Sequence, residues 1–141
     1  MKRFLVGIDG SAESEAAAAK ATELAKALDA SLTLAYVVPP RVPAVADEYA
    51  AEVRRADVLE HDYVAALLFQ AELRARNAGI PAETLSLNGP IAETLADKAA
   101  AGKFDMVIVG HRGRGAVARA LLGSVADRLT QLCSRPVLVV R

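Results

Sequence analysis

The stretch Val107-Ile108-Val109-Gly110-His111-Arg112-Gly113-Arg114-Gly115-Ala116-Val117-Ala118-Arg119-Ala120-Leu121-Leu122-Gly123-Ser124-Val125 decides the reading of this chain. It follows Met106 as a short, wholly apolar run, the pattern of a strand buried on both faces. The run stops at Gly110, and glycines return at Gly113 and Gly115 with Arg112 and Arg114 among them. Glycine admits close backbone approach and positive φ, so such a loop can turn successive N–H groups toward an anion. Gly123-Ser124 then opens a segment in which Val125, Leu129 and Leu132 recur at helical spacing. A serine at a helix start adds a hydroxyl to free backbone donors, where the helix dipole also favours negative charge. The physical reading is a strand, a phosphate-cradling loop and a helix. A tight strand-to-helix connection can also need glycine on steric grounds alone, so the turn by itself does not decide between binding and structure.

The spacing Gly-x2-Gly-x9-Gly-Ser is neither the dinucleotide fingerprint nor the P-loop. It resembles the nucleotide-binding signature of the universal stress protein family, in the branch that binds ATP. The likeness extends through Leu121-Leu122-Gly123-Ser124-Val125-Ala126-Asp127-Arg128-Leu129 and Arg135-Pro136-Val137-Leu138-Val139-Val140-Arg141, and to Leu5-Val6-Gly7-Ile8-Asp9-Gly10-Ser11 at the start. The middle of the chain is its least distinctive part. His111 departs from the pattern, since a small or hydroxylated residue is commoner there, and its role stays open.

At 141 residues the chain has the length of one domain, enough to bury roughly two-thirds of its unfolded surface. Its 17 basic and 17 acidic residues cancel, leaving no electrostatic footprint for nucleic acid or an anionic membrane. Few aromatics argue against a base-stacking platform. Cys133 is the one cysteine, which precludes an internal disulfide and reads as a small buried hydrophobe. Asp9 interrupts the first apolar run too early for a signal peptide, and no stretch is long enough to span a bilayer, so a cytoplasmic setting is the expectation.

In chain order, Phe4 to Ile8 reads as a strand. Ser11 caps a helix running to about Asp29, with Glu13 and Glu15 in its first turn and an apolar stripe of Ala17, Ala21, Leu24, Ala25 and Leu28. Ser31 to Val38 is a second strand, and the three prolines between Pro39 and Pro43 make a stiff loop to about Asp47. A long helical pattern from about Glu48 to Ala78 carries Val53, Val64, Leu67, Leu68, Ala71 and Ala75, and stops at Gly79-Ile80-Pro81. His61 within it lies between Glu60 and Asp62 and reads as a solvated surface residue, not a metal ligand. Ala82 to Leu87 is a third strand. A helix from Ile91 to near Gly102, a strand from Phe104 to Val109, the Gly-rich segment with its helix, and a last strand from Val137 to Arg141 complete the chain.

Strands alternating with helices predict an α/β, doubly wound parallel sheet of five strands in one Rossmann-like domain, with helices on both faces. The order 3-2-1-4-5 is implied by the family resemblance. Such sheets bind ligands beyond the carboxyl ends of the strands where the winding reverses. Under that order the crevice lies between the first and fourth strands, where Asp9 and Gly110 face one another.

The resemblance implies that ATP sits there, with Asp9 toward ribose hydroxyls or the adenine amine. Val37 or Val38 would lie against adenine. Val109, Gly110, Gly113, Gly123, Ser124 and Val125 would hold ribose and phosphates, with His111 flanking. Arg112 and Arg114 are phosphate partners by charge, or ordinary surface residues. Mg²⁺ would be held mainly by the phosphates, since no carboxylate cage accompanies the loop. No base, nucleophile or carboxylate pair at a catalytic spacing is visible. The expected role is a nucleotide-dependent sensor or switch in stress response, acting on an unknown protein partner, with at most slow hydrolysis. Two alternatives stand beside it. An ATP-consuming enzyme of the adenine-nucleotide α-hydrolase-like class would carry a Ser-Gly-Gly-x-Asp-Ser loop or a His-x-Gly-His element, both absent here. A dimeric interaction module that binds no nucleotide would not need the intact glycine spacing.

The apolar last strand, residues 136–141, would lie at an exposed sheet edge, which invites pairing with a second copy. The family resemblance implies a homodimer formed there. Light scattering on a Val139→Lys variant is expected to report a monomer; a variant that stays dimeric places the interface elsewhere.

Overall fold

A computed structural model of the chain describes residues 1–40, 50–112 and 122–141. Arg41 to Asp47 of the proline-rich loop, and Gly113, Arg114 and Gly115 of the Gly-rich segment, lie outside the described residues. The elements run β1 (Lys2–Gly7), α1 (Ala12–Leu28), β2 (Ala30–Val38), α2 (Ala50–Asn77), β3 (Ala82–Asn88), α3 (Ile91–Ala101), β4 (Met106–Gly110), α4 (Ser124–Leu132) and β5 (Val137–Val140). The strands form one sheet in the order β3-β2-β1-β4-β5, and every neighbouring pair is parallel. The expected α/β architecture and strand order are both present.

The sheet is apolar on both faces, as parallel sheets covered by helices require. Phe4, Val6, Leu32, Leu34, Tyr36 and Ile108 share one core with Ala17, Ala21 and Ala25 of α1 and Val64 and Leu68 of α2. Leu5, Ala35, Val37, Val107 and Val109 share the other with Leu95 and Ala99 of α3 and Leu129 of α4. Alternation along β1 and β4 therefore feeds both layers, because successive strand side chains point to opposite faces. Arg128 on α4 pairs with Glu93 on α3, which lowers the pKa of that carboxyl through its hydrogen bond to the guanidinium.

Several details differ from the sequence reading. β1 begins at Lys2 because parallel pairing with β2 starts at Lys2 opposite Ala30, a register that apolar patterning does not encode. Phe104 precedes β4: its N–H donates to the Ala99 carbonyl (3.0 Å), closing the end of α3, and Asp105 N–H is the first to reach β1, at Arg3 O (2.8 Å). The buried face of α1 is Ser14, Ala17, Ala21 and Ala25, while Leu28 at its end is exposed.

Small residues set how closely α1 approaches the sheet. A Cβ on Gly110, at the end of β4, would lie 2.8 Å from both the carbonyl carbon and oxygen of Glu13 in the first turn of α1. That is backbone, which cannot rotate away. Gly110→Ala is expected to lower stability by roughly 1–3 kcal/mol, the usual cost of overpacking, measured by urea unfolding. An unchanged midpoint would show that α1 shifts freely.

Candidate functional site

Beyond the carboxyl ends of β1 and β4 lies a cleft of about 350 Å³. Its walls come from the two turns that the sequence singled out. Gly7, Ile8 and Asp9 line it from the end of β1, and Val109, Gly110 and Arg112 from the end of β4. Ala35, Tyr36 and Val37 contribute from β2, Ile91 and Leu95 from α3, and Val125 and Ala126 from α4. The position is the switch point of a doubly wound sheet.

The β1–α1 turn is held by short polar links. Asp9 Oδ1 accepts from Ser11 N–H (2.9 Å) and from the Ser11 hydroxyl (2.5 Å). Asp9 N–H in turn donates to Ser14 Oγ (3.0 Å). Ser11 is the N-cap as expected, accepting from Ser14 N–H (3.1 Å). Asp9 thus builds the turn and lines the cleft, so its structural role is established by geometry. Between them Gly10 adopts φ +85°, and the Tyr63 hydroxyl of α2 lies where a Cβ would sit.

Behind the opposite wall, His111 joins three elements through its backbone. Its N–H donates to the Val140 carbonyl of β5 (2.6 Å), and its carbonyl accepts from Gly123 N–H (2.9 Å). The first bond ties the loop to the edge strand; the second seats the start of α4 beside the end of β4. The residue is buried and is not among those lining the cleft.

Gly123 is the N-cap of α4 and makes no side-chain capping bond. Among the described residues no side-chain cap satisfies the N–H groups of this first turn, and such donors suit an anion. Ser124, the first helical residue, is exposed beside them.

Arg112 is not a free surface cation. Its Nη2 contacts Glu13 Oε1 at 2.7 Å, with both side chains about three-quarters buried at 22% and 25% exposure. Arg112 Nε is buried with no hydrogen-bond partner among the described residues, an arrangement that ordinarily costs about 1–3 kcal/mol. The pair spans from the first turn of α1 to the end of β4, across the contact that Gly110 makes possible. The glycine spacing drew attention to Arg112 but carried no sign of Glu13, whose place in a first helical turn is accounted for by the dipole.

Of the two valines proposed to meet adenine, Val37 lines the cleft, whereas Val38 packs toward the opposite core. Adjacent strand residues cannot share a face. Pro39 and Glu60 also line the cleft. Pro39 had a signal, standing directly after β2; Glu60 had none, because helical periodicity does not reveal that α2 passes the cleft. His61 is exposed as expected. Cys133 caps α4 and is only partly buried, so it is less enclosed than a core residue. Among the described residues no group of three His, Cys, Asp or Glu side chains is placed to hold a metal, and no helix is long and apolar enough to cross a membrane.

The family model described as "Universal stress protein family" matches residues 1–141. A universal stress protein of Mycolicibacterium smegmatis is 37% identical over 140 residues, covering 97% of this chain and 47% of that protein. The chain thus spans about half the length of the mycobacterial relatives it matches. Among solved structures, universal stress protein UspA from Lactobacillus plantarum superposes with a TM-score of 0.88 at 21% identity, over 99% of this chain and 97% of that one. A universal stress protein solved in complex with cAMP superposes with a TM-score of 0.76 at 29% identity, over 99% and 97%. Sheet order, switch-point cleft and full-length family match agree: the chain belongs to the universal stress protein family.

Proposed function

We propose that this chain is a single nucleotide-binding domain that takes an adenine nucleotide, ATP in the first instance, into the cleft between β1 and β4 and acts as a regulatory switch. The observation that carries the reading is the convergence on that cleft of Asp9, Val37, Val109, Gly110, Arg112 and Val125, drawn from three separate elements and the turns that follow β1 and β4. Apolar groups from β2, α3 and α4 offer the base a dry wall. The uncapped start of α4 and the Gly-x2-Gly-x9-Gly-Ser segment offer the phosphates backbone donors. The relative bound to cAMP supports an adenine nucleotide as the class of ligand.

Arg112 already has a carboxylate partner in Glu13, so the cleft presents less positive charge than its sequence advertises. Mg²⁺ would enter with the phosphates, bound mainly by them and by water. Turnover is not part of the proposed role. The switch would act through a second copy of the chain or another protein. Among the described residues β5 pairs with β4 alone and forms one edge of the sheet, the place proposed for homodimer contact.

Calorimetric titration tests the binding. ATP with Mg²⁺ is expected to bind the wild type and to lose at least about tenfold in affinity, about 1.4 kcal/mol, with Ser124→Asp. The added carboxylate favours the helix dipole, so the fold is kept while phosphate is repelled. Gly113→Val is expected to abolish binding, because a branched Cβ obstructs a phosphate-cradling backbone. If nucleotide-free wild type binds neither ATP nor cAMP, the non-nucleotide interaction module replaces this reading.

A further inference from the structure

Arg112 lines the cleft, whereas Glu13 stands outside its lining. The guanidinium therefore bridges from the cleft wall to the first turn of α1, where its Nη2 donates to Glu13 Oε1 at 2.7 Å. Nε and Nη2 share one edge of a guanidinium, the edge that grips two oxygens of a carboxylate or phosphate side by side. Here Glu13 serves half of that edge: one oxygen reaches Nη2, and Nε is buried with no partner among the described residues. A two-oxygen grip is the stronger and more specific arrangement. Arg112 is held by less than its full bonding capacity.

The main chain beside each partner is fixed. Arg112 follows His111, whose N–H and carbonyl are bonded to Val140 (2.6 Å) and Gly123 (2.9 Å). Glu13 lies where α1 packs on Gly110, so closely that a Cβ there would come within 2.8 Å of its backbone. An exchange of partners is consequently a side-chain event, a rotation of the long Arg112 side chain between staggered rotamers. Nor does Glu13 become an isolated charge when the cation leaves. It sits in the first turn of α1, where the helix dipole favours a carboxylate, and 25% of its side chain is already open to solvent.

Resting on the nucleotide reading of the cleft, we propose that Glu13 is a specificity-determining positioning residue: it holds Arg112 until a ligand phosphate takes the guanidinium over by its Nε and Nη2 edge. Glu13 itself touches no ligand. It competes with the ligand for one cation, so an adenine ligand that offers two free oxygens on one phosphorus releases the pair, and a nucleoside leaves it closed. The new partner also satisfies the buried Nε, which the carboxylate does not. Phosphate occupancy is thereby reported at the first turn of α1, a difference between two states of the kind that a switch needs.

The test is calorimetric titration of the full chain with ATP and Mg²⁺, run on the wild type, Glu13→Gln, Arg112→Gln and the double variant as a double-mutant cycle. Removing the competitor in Glu13→Gln is expected to raise the affinity for ATP by about three- to tenfold, the scale of one partly exposed ion pair. With Arg112 replaced, Glu13→Gln is expected to change it by less than about twofold, because no cation is left to release. An affinity that is unchanged or lower in Glu13→Gln would overturn the proposal. So would a gain that persists without Arg112, since that is plain repulsion of phosphate by Glu13. Should a variant unfold, the wild type still decides. In protein labelled with ¹⁵N-arginine, the Arg112 Nε–H resonance is expected to shift on saturation with ATP and to stay in place with adenosine; a resonance that ATP leaves unmoved, or that adenosine moves equally, contradicts the exchange. If neither the wild type nor Glu13→Gln binds ATP, the nucleotide reading fails and takes the exchange with it, whereas binding with the wrong cycle overturns the exchange alone.

Discussion

The close approach of Gly110 to the first turn of α1 is the constraint on which the rest of the site depends. With a Cβ at that position 2.8 Å from the Glu13 backbone, α1 would have to move away from the end of β4. The ion pair between Glu13 and Arg112 would lengthen, and the wall opposite Asp9 would shift. One missing methyl group thus couples helix packing to cleft geometry. The same contact explains why α1 presents Ser14, Ala17, Ala21 and Ala25 to the sheet: larger side chains would hold the helix off, and Gly110 would have no reason to be glycine.

Around that contact the chain builds a hub from main-chain bonds. His111 links β5 to β4 and the start of α4 through its own N–H and carbonyl. Asp9, Ser11 and Ser14 lock the opposing turn. These bonds fix the described parts of the cleft walls, and a prebuilt wall lowers the ordering cost of any ligand held there. The Nε of Arg112, without a partner among the described residues, is an exception. A buried donor without a partner is costly, and a ligand oxygen within reach would remove that cost.

Much of this was legible in the sequence, and the reasons are specific. The alternation of apolar runs with helical stripes encodes layers, so five strands and four helices could be read from period alone. The Asp9 and Gly110 turns were visible because Gly and Asp at strand ends mark backbone that is not merely connecting. Pairings were harder. Nothing in Glu13 announces Arg112, because their contact is made by folding across 99 residues of chain. Val37 and Val38 were indistinguishable until the strand phase fixed which one faced the cleft. Burial of His111 escaped notice because its anchoring bonds come from the backbone, which every residue possesses.

The most direct test of the proposed nucleotide site is methyl NMR on valine- and leucine-labelled protein titrated with ATP and Mg²⁺. A base held in the switch-point cleft shifts the methyls of Val37, Val109, Val125 and Leu95, and leaves those of Val64 and Leu68 near their free positions. Shifts concentrated on Val64, Leu67 and Leu68, with the cleft valines unmoved, would place the ligand on the other face of the sheet and contradict the account.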